Sequence, residues 1–204
     1  MRQFLFTALF VPLSIFGFSQ TMEPAIISSG KGTVFMLDGS QLEGEITFNH
    51  TWQMNIKLNT PDGEQKIKFK EMNGFVIGDE RYTKISSGAL SLGDDQIFAK
   101  CLTPENFKIS IYEHISQGVV GTNYLHETER SYFVKFPSDE KIRSLNDVYF
   151  TPFNKKVSKL VEDCPALSKK ILDKENDYKL GMISTPELKL ELFLRIANEY
   201  QQCN

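Results

Sequence analysis

Oily and polar positions alternate one for one along residues 32–115, and beyond Phe136 the oily positions recur at about the pitch of an α-helix. Leu42, Gly44, Ile46 and Phe48 interleave with Gln41, Glu43, Glu45 and Thr47, the pattern of a strand with one buried face. Met54, Ile56 and Leu58 repeat it, as do Ile67 and Phe69 among Lys66, Lys68 and Lys70. Turn chemistry separates the runs. Asp38-Gly39 suits a tight turn that needs positive φ, and Thr60-Pro61-Asp62-Gly63 has proline and glycine where a type I turn favours them. Connections this short force neighbouring strands to run antiparallel, so the stretch predicts a β-meander. Further strands are expected at 74–77, 81–85, 97–102, 107–115 and 131–136, with polar loops at 86–95 and 118–129.

The helical part has its own punctuation. Thr151-Pro152 predicts an N-cap followed by a first-turn proline, with Phe153, Val157, Leu160 and Val161 on one face. Cys164-Pro165 ends that helix, because a residue before proline is pushed out of the α region. A short helix follows over 166–172 with Leu167 and Ile171 inward. Thr185-Pro186-Glu187 opens a third, whose Leu188, Leu192, Phe193, Ile196, Ala197 and Tyr200 form a stripe wide enough to be a core face. One-sided strands and one-sided helices need each other. The expected fold is therefore α+β: an antiparallel β-meander, curved or partly rolled into a barrel, followed by a C-terminal helical segment packed on it. The expected organisation is a leader over 1–19, a flexible segment over 20–31, a β domain over 32–144 and a helical subdomain over 145–204.

The leader sets the compartment. Arg2 precedes an uncharged apolar run from Phe4 to Phe18, and Gly17-Phe18-Ser19 ends it with small residues at −3 and −1. That is the layout of a secretory signal peptide cut between Ser19 and Gln20. The run is shorter than the roughly 20 apolar residues of a membrane-spanning helix, and Pro12 interrupts it. No later stretch is long and apolar enough to span, so no integral membrane segment is expected after cleavage. The first cysteine is Cys101, too far along to carry a lipid anchor. The mature chain is expected to be soluble, in the periplasm or secreted.

Charge narrows the partners. The chain has 23 basic and 26 acidic residues, a net charge of −3, and loss of Arg2 with the leader makes it more acidic still. A mildly acidic chain lacks the basic stripe that nucleic acid requires. Its partner is expected in the envelope or outside the cell.

Three cysteines are present: Cys101, Cys164 and Cys203. Cys164 stands where the second helix starts and Cys203 where the third ends. If those helices run antiparallel, both fall at one end, and an oxidising compartment would join them. Such a bridge stabilises by about 4 kcal/mol in the chain-entropy model. The alternative is three free thiols. Cys101, beside Ala99 in a strand, reads as a small buried hydrophobe.

No residue set announces catalysis, a cofactor or a metal. His126-Glu127 lacks the second histidine of a metalloprotease motif, because Arg130 stands in its place. Asp79-Glu80 and Asp94-Asp95 are acidic pairs without the ligand pattern of a calcium loop. Ser28-Ser29-Gly30-Lys31-Gly32-Thr33 lacks the opening glycine and the Ser/Thr of a phosphate loop, and it precedes a strand. Asn49-His50-Thr51 is a glycosylation sequon, meaningful where the host adds N-glycans.

The chain resembles a group of uncharacterised exported proteins from Bacteroidota bacteria. The resemblance rests on Gly32-Thr33-Val34, Asp38-Gly39, Leu42-Glu43-Gly44-Glu45-Ile46, Gly74-Phe75-Val76-Ile77 before Tyr82, the segment 107–112, and Asp163-Cys164-Pro165 with Tyr200 and Cys203. It implies an exported β-rich domain followed by helices, and it brings no catalytic residues. Besides a small apolar ligand held inside a rolled sheet, which predicts an enclosed cavity lined by phenylalanine and isoleucine, two functions remain in view. One is a non-catalytic binding or scaffolding domain of the cell envelope. The other is an envelope hydrolase, for example on glycans, using carboxylates of the loops 86–95 and 118–129. The two differ in where Asp94, Asp95, His126 and Glu127 sit: gathered in a pocket for a hydrolase, scattered for a binding domain.

Overall fold

A computed structural model of the chain describes residues 26–50, 53–86, 96–120, 125–181 and 184–203, with backbone alone for 117–120 and 125–127. The expected leader lies outside the described residues. So do the loop segment 87–95 and its Asp94 and Asp95.

One antiparallel sheet of ten strands organises the molecule. In chain order the strands are β1 (Ile27–Met36), β2 (Gln41–Asn49), β3 (Asn55–Thr60), β4 (Gly63–Lys68), β5 (Met72–Ile77), β6 (Glu80–Ser86), β7 (Gln96–Cys101), β8 (Ser110–Val120), β9 (Leu125–Lys135) and β10 (Arg143–Ser144). In space they run β10-β9-β8-β7-β6-β5-β1-β2-β3-β4. The meander is broken once, where β1 inserts between β5 and β2. Gly39, with φ +87°, serves the turn between β1 and β2, as Asp38-Gly39 predicts. Pro61-Asp62 forms the two-residue tip between Thr60 and Gly63.

The first seven strands roll around their own core. Val34, Ile46, Phe48, Ile56, Leu58, Met72, Phe75, Tyr82 and Phe98 are almost fully buried against one another. Phe75 stacks on Tyr82 with centroids 4.8 Å apart, and Phe48 meets Phe75 edge-on at 4.9 Å. The roll nearly returns on itself. Phe69, just beyond edge strand β4, lies 4.4 Å from Phe98 in β7. No ladder joins β4 to β7 among the described residues, so the barrel is partial. Glycine permits the tight curl: a Cβ on Gly32 would stand 1.9 Å from the Val76 carbonyl oxygen, and one on Gly44 2.5 Å from that of Asn59.

The helices cover the continuation of the inner face. They are α1 (Phe153–Leu160), α2 (Pro165–Leu172) and α3 (Pro186–Gln201). Leu192, Phe193, Ile196, Ala197 and Tyr200 of α3 pack with Ile111 of β8 and Tyr132 and Val134 of β9, joined by Val157, Leu167 and Ile171. Thr185 caps α3 by accepting from the Leu188 amide at 3.4 Å. Cys164 and Cys203 are bonded, with Cα atoms 5.7 Å apart, tying the start of α2 to the end of α3.

Several expectations need correction. Residues 118–120 and 125–129 are strand, not loop: β8 runs to Val120 and β9 begins at Leu125, and their register extends past the oily alternation. Nor is the segment 20–31 irregular to its end, since β1 begins at Ile27 and pairs with Asn49. Pro152 is the N-cap of α1, not its first helical residue. Met54 is 72 % exposed and Leu188 52 % exposed, although both fit apolar periods. Met54 precedes β3, and Leu188 sits in the first turn of α3.

Candidate binding cleft at the seam of the sheet

Strands β7 and β8 share only a short ladder. They pair at Lys100↔Glu113 and Cys101↔Tyr112, whereas β8 and β9 stay together from Ser110↔Lys135 to Val120↔Leu125. The earlier part of β7 therefore presents backbone groups that no strand takes. A side chain takes them instead. Gln53, from the connection between β2 and β3, donates Nε2–H to the Phe98 carbonyl at 3.1 Å, and its Oε1 accepts from the Phe98 amide at 2.9 Å. This imitates one rung of an antiparallel ladder. His114 of β8 closes the group, its Nδ1 lying 3.2 Å from both the Phe98 oxygen and Gln53 Nε2.

Beside this seam opens a cleft of about 660 Å³. That falls in the size range of small-molecule sites. Its polar lining is His50, Gln53, Lys70, Asn73, Lys84, Gln96, His114 and Ser116, and its apolar wall is Leu37, Phe69 and Ile97. Among the described residues no carboxylate lines it. The Lys84 ammonium stands 5.0 Å from the Phe69 ring centroid and 6.0 Å from that of Phe98. An aromatic face attracts a cation at these distances.

His50 forms the inner wall, and its other side belongs to a polar chain. His50 Nε2 is 2.8 Å from Ser28 Oγ, which is 3.5 Å from the Tyr82 hydroxyl. Tyr82 donates to Glu80 Oε2 at 2.7 Å, and Lys100 holds the other oxygen of Glu80. Glu113 pairs with Arg130 at 2.5 Å nearby. These groups surround a smaller cavity of about 180 Å³ in which acids and bases are matched. Burial pushes the pKa of His50 below its usual value, against the pull of Glu80 and Glu113. Burial also lowers that of His114, against its contact with the Phe98 carbonyl. The Lys100 and Tyr82 hydrogen bonds lower that of Glu80. Burial raises that of Tyr82.

The Ser28–His50 pair has the separation of a nucleophile and its base. Among the described residues, however, no carboxylate orients the second ring nitrogen of His50. The pair is a link in a hydrogen-bonded chain from the cleft wall to the Glu80–Lys100 ion pair.

Of the residues weighed from sequence, only some fall among the described side chains. Glu80 of the Asp79-Glu80 pair is bound to Lys100 and Tyr82. His126 and Glu127 belong to β9, opposite Val119 and Gly118. Asp94 and Asp95 lie outside the described residues. Cys101 is half-buried, and burial raises its thiol pKa. No cluster of three potential metal ligands occurs among the described residues, and no helix there is long and apolar enough to cross a membrane. A shallower hollow of about 540 Å³, with Pro152, Lys155, Lys159 and Leu172 in its wall, lies on α1 and α2.

Gln53, His50, Lys84 and His114 were not singled out as a site by sequence reasoning. Lys84 carried one signal: it shares the inner face of β6 with Tyr82, two residues away, where an alternating pattern calls for an oily side chain. No family model matches the chain, and no curated protein or solved structure is significantly similar to it.

Proposed function

We propose that the protein is an exported, non-catalytic binding domain of the cell envelope, in the periplasm or outside the cell, and that it holds a small ligand in the seam cleft. The observation that carries this reading is the cleft itself. It is large enough for a metabolite-sized molecule, and Gln53 and His114 in its wall are held by the Phe98 carbonyl. Its polar groups are amides, imidazoles and ammonium groups suited to recognition, whereas the charged acids and bases nearby are paired with one another.

Export is supported by the layout of residues 1–19 and by the Cys164–Cys203 bond, which persists in an oxidising space. The resemblance to exported Bacteroidota proteins points the same way. Native mass spectrometry of the protein isolated from the envelope of the producing cell tests the binding reading. We expect a small-molecule adduct on the wild type that is absent from Asn73→Trp, which fills the cleft from an exposed position. Wild type without adduct, or an equal adduct on both proteins, would overturn it.

A further inference from the structure

We infer that the ligand of the cleft carries an anionic head, a carboxylate or a phosphate, attached to an apolar body, and that Lys84 is the residue that binds the head. This inference rests on the cleft being the binding site and adds the chemical class of what it takes.

Three observations converge on it. The first is the sign of the lining. Lys70 and Lys84 line the cleft together with the donors of Gln53, Asn73, Gln96, His50 and His114, and no described carboxylate does. The chain as a whole is acidic, so this is a local reversal of its field.

The second is the state of Lys84. It is half-buried on the inner face of β6, and among the described residues it forms no ion pair. On the same face of the sheet, Glu80 is committed to Lys100 and Glu113 to Arg130. The rings of Phe69 and Phe98 hold its ammonium at the cleft wall. An ammonium that lacks a counter-ion in a half-buried cleft is placed to receive an anion.

The third is the division of the cleft. Phe69, Ile97 and Leu37 give one part of the wall an apolar character, and Leu37 is 56 % exposed, so it extends that surface outward. A bare inorganic anion would leave this wall unused. A neutral oily ligand would leave Lys84 without a partner.

Titration calorimetry of the mature, disulfide-bonded protein tests the inference with three probes of equal chain length: decanoate, decyl phosphate and decanol. We expect one or both anions to bind one to one and decanol to bind at least tenfold more weakly. Whichever anion binds more tightly identifies the head as carboxylate or phosphate. Lys84→Gln should weaken anion binding at least fivefold, Lys84→Arg should keep it within about twofold, and circular dichroism should show both variants folded. Decanol binding as well as the anions, with all binding lost in Asn73→Trp, would overturn the anionic head and leave the cleft standing. Anion binding unchanged in Asn73→Trp would overturn both readings, and so would failure of all three probes to bind. Equal anion affinity in wild type and Lys84→Gln would overturn the role of Lys84.

Discussion

The side-chain amide of Gln53 and the backbone of Phe98 are joined by two hydrogen bonds, one in each direction, across 45 residues of sequence. Gln53 thus stands in for a strand at the place where β8 has turned away from β7. Phe98 is 2 % exposed, so its amide and carbonyl have little access to water once Gln53 is gone. A buried backbone group left without a partner costs about 1–3 kcal/mol. Gln53→Ala should lower unfolding stability by an amount in that range, read from urea midpoints. Gln53→Glu should recover little, because its second oxygen would face the Phe98 carbonyl. A midpoint for Gln53→Ala equal to that of wild type would contradict this account of the seam.

The curl that creates the cleft depends on the absence of side chains at two crossings. Gly32 pairs with Gly44 in β2 and with Ile77 in β5. Gly32→Ala would bring its Cβ within 1.9 Å of the Val76 carbonyl oxygen, a backbone atom that cannot step aside. We expect a loss above about 2 kcal/mol, the scale of an overpacked core. Gly39→Ala, at an open turn, serves as the comparison: its loss should be smaller and come from the positive φ alone.

Burial keeps His50 and His114 neutral, which makes stability depend on pH in a definite direction. Both pKa values lie below the ordinary 6.5 in the folded protein. The unfolded chain therefore takes up protons first as the pH falls. Stability should be fully present above about pH 6.5 and decline as the pH drops beneath it. Glu80 adds a separate stage. Its folded pKa is below 4.5, so its contribution holds above that value and is lost under it. Urea midpoints at about pH 7 and about pH 5 isolate the histidine stage. The midpoint should be lower at the acid end, and His114→Gln should narrow the difference. Equal midpoints, or a higher one in acid, would contradict the buried-neutral assignment.

The Cys164–Cys203 bond closes a separation of 39 residues around α2 and α3. Replacing both cysteines with alanine should cost up to about 4 kcal/mol by the chain-entropy argument. Tyr200, whose pKa is pushed up to about 12 by burial and whose hydroxyl donates to Asp163, holds the same end of α3 and should keep the helix docked. Thiol labelling of unreduced mature protein should find Cys101 and leave Cys164 and Cys203 untouched. Labelling of all three cysteines would refute the pairing.

The fold class was legible because its cues are local. Alternation in residues 41–48, the turn residues Asp38-Gly39 and Pro61-Asp62, and the capping Thr185 each act within a few positions. The pairing of Cys164 with Cys203 followed from where two helices begin and end. The far halves of β8 and β9 were hidden because Gln117, Gly118, Glu127 and Thr128 do not alternate, and only the register of the partner strand makes them a hairpin. Insertion of β1 between β5 and β2 is a long-range choice that no local pattern encodes. The cleft was illegible for the same reason: Gln53, Lys84 and His114 come from three elements and meet only because the sheet rolls. Gly44 fits the oily face by alternation, whereas its role is to let the Asn59 carbonyl approach.

Binding in the seam cleft should leave a local signature on the backbone amides around it. Amide chemical-shift mapping of isotopically labelled mature protein, titrated with an extract of the producing cell's envelope, measures it most directly. Shifts should concentrate at Gln53, Phe69, Asn73, Lys84, Phe98 and His114, with Lys155, Lys159 and Leu172 of the hollow on α1 and α2 unmoved. Shifts confined to that hollow, or a spectrum that does not change at all, would contradict binding in the cleft.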